Sequence, residues 1–464
     1  MQTLSLYDTT GVNGYRIVRT RITRNHGKTK IVSSEKELKK ASEAVAKRVG
    51  GGRSPDRRFI ITIEPKGGLA CSCGSKDIKV YKTRKRLIQC HPFGLLPGFV
   101  EIKVHQFYCR HCHKLHYEHL PFLTEPKAKL TRALERTVVE LRRAMSISDV
   151  AKLYGLDPRC VKAAEMRALE LRYRYVPLKD VRAIGIDELY VFSREKANRK
   201  YVTVVRDLDS GAVLNVSRGK GEDALKMFAS RLGRLKAGPG IEYVAMDMSN
   251  AYFNFVEHSL PKAQIVFDHF HVIKAINDRL DRIRRRTIAA IKAGARRTLA
   301  SETATEREKR GAEKALEKMR DFKGNRYLSL RNKDDLSEED RSKLQALLDE
   351  HADLSKAYAL KEDMRAIYSE AKDAAEATTL LTAWIAKARA SKVREMVSMA
   401  ETIATHLEGI LGYWKFRKAS NAATEGFNNK IRWLIKQAYG YRDYRYFRLK
   451  VFDLPNLKTT KSDA

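Results

Sequence analysis

The sequence predicts an α/β core interrupted by a long all-α insertion and preceded by a cysteine-rich module and a helical triplet. Three observations predict it. Residues 181–270 read as the order β-β-β-α-β-α-β, residues 271–413 read as helix almost throughout, and five of the six cysteines fall between Cys71 and Cys112. A chain of 464 residues has room for several such parts and at least one sizeable core.

Charge narrows the partners. The formal net charge is +35 and the pI about 9.9, and more than half of the excess lies within residues 1–180. Such a surface repels itself unless a polyanion covers it, which favours nucleic acid over acidic protein or membrane. No run of about 18 apolar residues exists, so no membrane span is expected. Met1 to Thr9 lacks a basic stretch followed by an apolar core, so no secretory signal is expected. Clustered cysteines suggest a local metal site rather than a disulfide framework, and fit a reducing cytoplasm.

Residues 1–65 form a basic N-terminal region. Glu35–Val49 has helical spacing ended by Gly50-Gly51-Gly52, and Arg58–Ile63 looks like a short strand. Residues 66–122 carry the cysteines and two β-like runs, Ile78–Tyr81 and Val100–Phe107. Residues 127–175 switch to helical period. Lys127–Met145 reads as one helix, Ser148 caps a second over Asp149–Tyr154, Gly155 turns, and Asp157-Pro158 starts a third running to about Arg172.

Residues 181–270 change pattern again. Val181–Val191, Tyr201–Asp207 and Ala212–Val216 read as three antiparallel strands, the last two joined by the turn Asp209-Ser210-Gly211. Glu222–Leu235 is an amphipathic helix, and Gly238-Pro239-Gly240 breaks the chain before strand Ile241–Met246. Helix Asn250–His258 and strand Gln264–Phe267 follow. This is the order of the RNase H fold, in which the first and fourth strands lie side by side. The insertion divides into helices near 271–299, 302–321, 335–357, 362–374 and 376–411, with 324–336 as the clearest interruption. Residues 414–450 return to the core with a helix over 420–450, and 451–464 form a tail.

Two carboxylates stand where that strand order brings them together. Asp187 is expected at the end of the first strand and Asp247 at the end of the fourth. Carboxylates on neighbouring strands can bind two Mg²⁺ or Mn²⁺ ions, which serve in-line phosphoryl displacement. A third ligand is needed from across the site. Glu425, about one turn into the helix that Ser420 or Asn421 begins, is the candidate. Asp268, His269 and His271 follow the fifth strand. They could contact the scissile phosphate or orient water, or Asp268 could cap a helix while the histidines pack locally. Glu188 is read as a neighbour rather than a ligand.

The segments Gly185-Ile186-Asp187-Glu188, Met246-Asp247-Met248-Ser249 through Tyr252, Asp268-His269-Phe270-His271-Val272, Ser420-Asn421 to Asn429, and Ala438-Tyr439-Gly440-Tyr441 carry a resemblance. Together they resemble the ISL-three family of bacterial insertion-sequence transposases, and the resemblance covers most of residues 70–450. It implies a DDE-type transposase with an RNase H-like core, whose second Asp and Glu are separated by a long helical insertion. It implies Asp187, Asp247 and Glu425 as the triad, with Asp187 bridging two ions and the others each holding one. Water would free a 3′-OH at the transposon end, and that hydroxyl would attack target DNA with no covalent protein intermediate. Partners would be double-stranded DNA and a second copy of the chain, in a bacterial cytoplasm at the nucleoid. A non-cutting DNA-binding regulator, or a nuclease on the same fold, remain the competing readings.

Cys71, Cys73, Cys109 and Cys112 suggest a structural zinc-ribbon-like Zn²⁺ site. The second pair has Cys-x-x-Cys spacing. The first is Cys-x-Cys and departs from the family's usual spacing, so Cys90, His111 or His113 are alternatives to Cys71. The triplet has the length and turn of a helix-turn-helix, with Arg159, Lys162 and Arg167 as DNA-facing side chains of its third helix. A second basic and aromatic stretch runs from Trp433 to Phe447, with Lys436, Arg442, Tyr444, Arg445 and nearby Arg448. It could stack on unpaired bases or form a half-core, half-solvated face. Trp384 and Trp414 are read as packing anchors.

Overall fold

The structure is a computed structural model describing residues 10–12, 14–24, 30–31, 57–94, 96–192, 200–324, 328–331, 335–416 and 422–456. The side chains of 24, 30–31, 318–324, 347, 350, 422–425 and 456 are outside that description. The expected helix Glu35–Val49 also lies outside the described residues. The chain divides into two compact units, residues 1–175 and 176–464.

The first unit is built on six strands: β1 (Tyr15–Arg24), β2 (Lys30–Ile31), β3 (Arg57–Pro65), β4 (Ile78–Phe93), β5 (Leu96–Cys109) and β6 (Lys114–Tyr117). Their order is β2-β1-β3-β5-β4, with β6 added to β5. β3 runs parallel to β5, with Phe59 opposite Gly98. The basic N-terminal region and the cysteine module, expected as separate parts at 1–65 and 66–122, therefore share one sheet. The reason is a common apolar face: Phe59, Ile61 and Ile63 on β3 bury with Ile88, Val100 and Ile102 on β4 and β5.

β4 and β5 run well beyond the short strands the sequence suggests. Residues 79–85 of β4 are exposed on both faces, so no alternation of apolar and polar residues marks them. The antiparallel ladder to β5, from Ile78 opposite Cys109 to Phe93 opposite Leu96, holds them extended.

Three helices follow: α1 (Arg132–Leu141), α2 (Ile147–Tyr154) and α3 (Pro158–Arg172). α1 begins later than Lys127 because residues 129–131 pair with Gln89 of β4, through Gln89 N–H to Lys129 O and Thr131 N–H to Gln89 O, both 2.9 Å. Thr131 then caps the helix. α2 is capped by Ser146 rather than Ser148. The Ser146 hydroxyl accepts from Asp149 N at 3.1 Å and donates to Asp149 Oδ2 at 2.6 Å, a reciprocal cap. α3 starts as expected, with Asp157 as cap and Pro158 at its first position. Arg86 of β4 donates to the carbonyls of Pro126 (2.6 Å) and Ala128 (2.8 Å), and Gln89 Nε2 to that of Tyr154 (3.1 Å). Sheet and triplet are thus one body.

The second unit contains β7 (Ala183–Tyr190), β8 (Tyr201–Asp207), β9 (Val213–Arg218), α4 (Glu222–Leu235), β10 (Tyr243–Met246), α5 (Asn250–Ser259) and β11 (Gln264–Phe267). The sheet order is β11-β10-β7-β8-β9. The first three strands are antiparallel neighbours, and β10 and β11 are added parallel. First and fourth strands lie side by side, as the element order requires.

Helices α6 (His269–Ala300), α7 (Glu306–Gly324), α8 (Glu338–Glu350), α9 (Ala352–Glu370), α10 (Ala374–Ala390), α11 (Arg394–Thr405), α12 (Leu407–Lys415), α13 (Ala422–Gln437) and α14 (Tyr444–Asp453) complete it. The stretch read as one helix over 376–411 is three, turned at Lys392 (φ 57°) and His406. That over 420–450 is two, broken at Tyr439 and Gly440. The first two turns are of three residues and one residue and barely disturb apolar spacing, and the third, residues 438–443, keeps aromatic residues among its six positions. Among the described residues the insertion shares the core of the sheet. Ile184, Val244, Met246 and Phe267 of the sheet bury in the same cluster as Met364, Trp384, Met396 and Trp414. Both tryptophans anchor as expected, Trp384 Nε1 donating to Leu360 O (2.8 Å) and Trp414 Nε1 to Ala371 O (3.1 Å). No helix among the described residues is long and apolar enough to cross a membrane.

α12 brings the chain back to the sheet, just before α13. It lies close on β11 because two of its residues lack side chains. A Cβ at Gly409 would sit 2.5 Å from the Phe267 ring, and one at Gly412 2.9 Å from Val266 Cγ2. Gly409→Ala should therefore lose about 1–3 kcal/mol by overpacking, measured by denaturant unfolding. Gly294→Ala, in α6 with open space around it, should be neutral or gain up to about 1 kcal/mol.

Candidate active site and cysteine centre

β10 runs parallel to β7 with Tyr243 opposite Ala183 and Ala245 opposite Gly185. Carried two residues on, this register sets Asp247 opposite Asp187. Asp187 is not at a strand end, as the sequence suggests. β7 continues to Tyr190, held by β8 through the pairs Asp187–Val204 and Tyr190–Tyr201. It is β10 that stops, at Met246, leaving Asp187 open toward the space beyond it.

The site concentrates negative charge under cover. Burial pushes the Asp187 carboxyl above the usual range, and Asp268 adds to the push. The Glu188 backbone N–H, His271 and Asn428 oppose it. Burial likewise raises Asp247, helped by Glu188 and Asp187 and opposed by His271 and Lys274. Asp187 Oδ1 accepts from Glu188 N at 2.7 Å, and its Oδ2 accepts from Asn428 Nδ2. Asp247 Oδ1 and Asn428 Oδ1 are buried without a hydrogen-bond partner among the described residues. Buried carboxylates with an orphaned oxygen are costly unless a cation joins them. These hard donors fit Mg²⁺ or Mn²⁺.

Asn428 was not singled out in the sequence, yet it docks α13 beside Asp187. Phe427, Ile431 and Leu434 bury the helix's inner face, and the Arg206 guanidinium lies 4.3 Å from the Phe427 ring centroid. The available signal was spacing. Glu425 and Asn428 are three residues apart, so they share a face of α13. The Glu425 side chain itself lies outside the described residues.

The accessory residues separate by role. Asp268 is buried and caps α6, accepting from Phe270 N at 3.2 Å. His269 lies among the rings of Tyr368 and Tyr413, at centroid distances of 5.7 and 5.3 Å. His271 is the histidine that opposes the upward push on both Asp187 and Asp247. Glu188 Oε1 accepts from the Tyr252 hydroxyl and, at 3.2 Å, from Gly221 N, which occupies it as a neighbour.

In the first unit, the ligand atoms of Cys71, Cys73, Cys109 and Cys112 all lie within 4.8 Å of one another. Cys71 Sγ is 3.7 Å from Cys112 Sγ, and Cys73 Sγ 3.6 Å from Cys109 Sγ. With Zn–S bonds near 2.3 Å, a tetrahedral edge is about 3.8 Å, so the four thiols could hold zinc. Cys71 belongs to the group despite its Cys-x-Cys spacing. Cys90 does not: it is buried in the sheet's apolar core, and burial pushes its thiol up to about 12. His111 and His113 are outside the group, while His116 Nε2 reaches Cys112 Sγ at 3.2 Å. Backbone N–H groups of Cys112 and His111 bring the Cys109 thiol down to about 6.

The basic residues are placed unevenly. Arg159 is exposed and Lys162 half-buried on α3. Arg167 bonds Glu125 at 2.9 Å and also Glu135, so it braces α3 against α1 rather than presenting a free guanidinium. Lys436, Arg442 and Arg445 are exposed. Tyr444 and Arg448 both donate to Val216 O of β9, each at 3.1 Å, and fasten α14 to the sheet. A further basic surface is formed by Lys79, Lys82, Arg84 and Lys85, all exposed on β4. Its charges read as a loop-like polar run until the ladder to β5 is known.

The family model of ISL3-type DDE enzymes, described as Transposase, matches residues 184–451. The transposase for insertion sequence element IS1001 of Bordetella parapertussis is 26% identical, covering 87% of this chain and 93% of its own. The transposase for insertion sequence element IS1557 of Mycobacterium tuberculosis is 30% identical, covering 67% of this chain and 69% of its own. The chain belongs to the ISL3 family of DDE transposases.

Proposed function

We propose that this transposase cuts transposon ends and joins them to target DNA at a site formed by Asp187, Asp247 and Glu425 on an RNase H-like core. The observation that carries this is the register of β7 and β10, which sets Asp247 opposite Asp187 with a buried, unpartnered oxygen. Asp187, Asp247 and Glu425 would together hold the divalent ions. Divalent ions held there supply charge stabilisation to the attacking and leaving oxygens of an in-line phosphoryl displacement. Asn428 orients Asp187 and keeps α13, and with it Glu425, at the site. His271 moderates the negative charge.

The cysteine centre is read as a structural zinc site. The triplet is read as a helix-turn-helix, with α2 as supporting helix and α3 as reader of the terminal repeats. The β4–β5 ribbon adds phosphate contacts through Lys79, Lys82 and Arg84. Two ends must be paired, so the enzyme acts as a dimer on DNA, at the bacterial nucleoid. The test is incubation with DNA bearing the flanking inverted repeats, Mg²⁺ and a target plasmid. Joined products support the reading. Cut ends alone indicate a nuclease, and binding alone a regulator.

Side-chain placement divides the arginines of α3. Arg159→Ala and Lys162→Ala should each weaken end binding and flatten the salt slope by about one unit. Arg167→Ala should instead lower the melting temperature of the first unit, because it unpairs the nearly buried Glu135. Binding measured between 50 and 200 mM salt, beside thermal melts, checks both.

A further inference from the structure

We infer that Tyr439 stacks on an unpaired DNA base flanking the cleavage site. This rests on the catalytic reading above. α13 ends in a paired turn: Tyr439 N–H bonds Lys436 O at 3.1 Å, and Gly440 N–H bonds Ile435 O at 2.9 Å. This pattern places residue 439 in the left-handed region, and its φ is 51°. Glycine usually fills that position, because a side chain there is strained. Here glycine comes one residue late, and a tyrosine takes the strain.

Nothing among the described residues offsets it. The Tyr439 side chain is 100% exposed, and no hydrogen bond or ring contact engages it among the described residues. Its neighbour Tyr441 does the opposite, packing on Phe447 at 5.3 Å and Tyr446 at 5.8 Å. One ring pins the turn while the other is presented outward. Lys236 caps its helix in the same left-handed way, so what sets Tyr439 apart is its ring: a fully exposed aromatic held on a fixed turn offers a face to a partner outside the chain.

Charge identifies the partner. Lys436 and Arg442 flank the turn, both exposed. Sequence-tolerant stacking of a base on an aromatic ring beside phosphate-binding cations is the usual chemistry of single-stranded sites. Position agrees as well. At 1.5 Å per residue, Tyr439 lies on the order of 15 Å along α13 from Asn428, which bonds Asp187. An enzyme that must open DNA at an end has use for a ring at that distance.

The experiment compares Tyr439→Gly with Tyr439→Phe on the full chain, using the inverted-repeat duplex and the same duplex with mismatched bases near the cut. The expected result has three parts. Tyr439→Gly melts higher than wild type, because its backbone is relaxed. It binds ends within about twofold, yet cuts the intact duplex at least tenfold more slowly than Tyr439→Phe. On the mismatched duplex that gap closes. Iodouracil placed within five bases of the cut should also crosslink to the peptide holding Tyr439. Equal cutting of the intact duplex by both variants would overturn the proposal. So would equal loss in both, or a gap that persists on mismatched DNA. A changed oligomeric state in Tyr439→Gly with unchanged cutting would overturn it in favour of a protein contact. Asp247→Asn, run alongside, separates this from failure of the catalytic reading, which normal cutting by that variant would show.

Discussion

Asp187→Asn and Glu425→Gln enzymes are expected to bind transposon ends like wild type and to cut them about a thousandfold more slowly or worse. Divalent ions contribute several kcal/mol to such a displacement, and each 1.36 kcal/mol is a factor of ten. Neither substitution changes size, and Asn keeps an oxygen to accept from Asn428. The folded state should therefore survive. It should even gain stability when metal is absent. The Asp187 carboxyl is raised by burial, so its stabilising contribution is complete below the ordinary carboxylate pKa and is lost as pH rises through the raised value. At pH 7 the metal-free wild type carries that penalty and Asp187→Asn does not. Melts should show the variant higher without Mg²⁺, and Mg²⁺ should raise wild type more than the variant. Normal nicking by either variant, with DNA pre-bound, would remove Asp187 or Glu425 from the triad.

The second large effect is expected at the cysteines. Purified protein should contain one zinc per chain, and Cys109→Ser or Cys73→Ser should lose it. Structural zinc in small modules is worth on the order of 10 kcal/mol. Here the adjoining sheet has its own apolar core, so loss of metal should unfold the Cys71–Cys112 end rather than the whole unit. End binding should fall at least about tenfold, while the melting of the second unit stays in place. Cys90→Ser should retain zinc, because that thiol lies in a different core. Metal analysis with calorimetry checks this, and absence of stoichiometric zinc would reject the site.

Much of the core was legible because local signals and tertiary structure agree there. α4 starts at Glu222 and ends at Leu235, as its amphipathic spacing and the Gly238-Pro239-Gly240 break require. The strand order followed from turn residues and apolar runs, and it is enough to bring Asp187 and Asp247 together. Other features depend on partners distant in sequence. β4 is a strand through residues 79–85 only because β5 pairs with it. Thr131 caps α1 because Gln89 claims the residues before it. Arg167 looks like a reading residue until Glu125 and Glu135 are found beside it. Asn428 could not be weighed until α13 was docked, since its bond to Asp187 spans most of the second unit. Glu425 rests on that same docking and on the family, because its side chain is not among those described.

The most direct test of the triad replaces Mg²⁺ with Fe²⁺ in the enzyme bound to end DNA and adds ascorbate and peroxide. Radicals formed at the ion cut the nearby polypeptide. Cuts are expected at three places far apart in sequence, beside residues 187, 247 and 425, all suppressed by excess Mg²⁺. Cuts near 187 and 247 with none near 425 would contradict the triad.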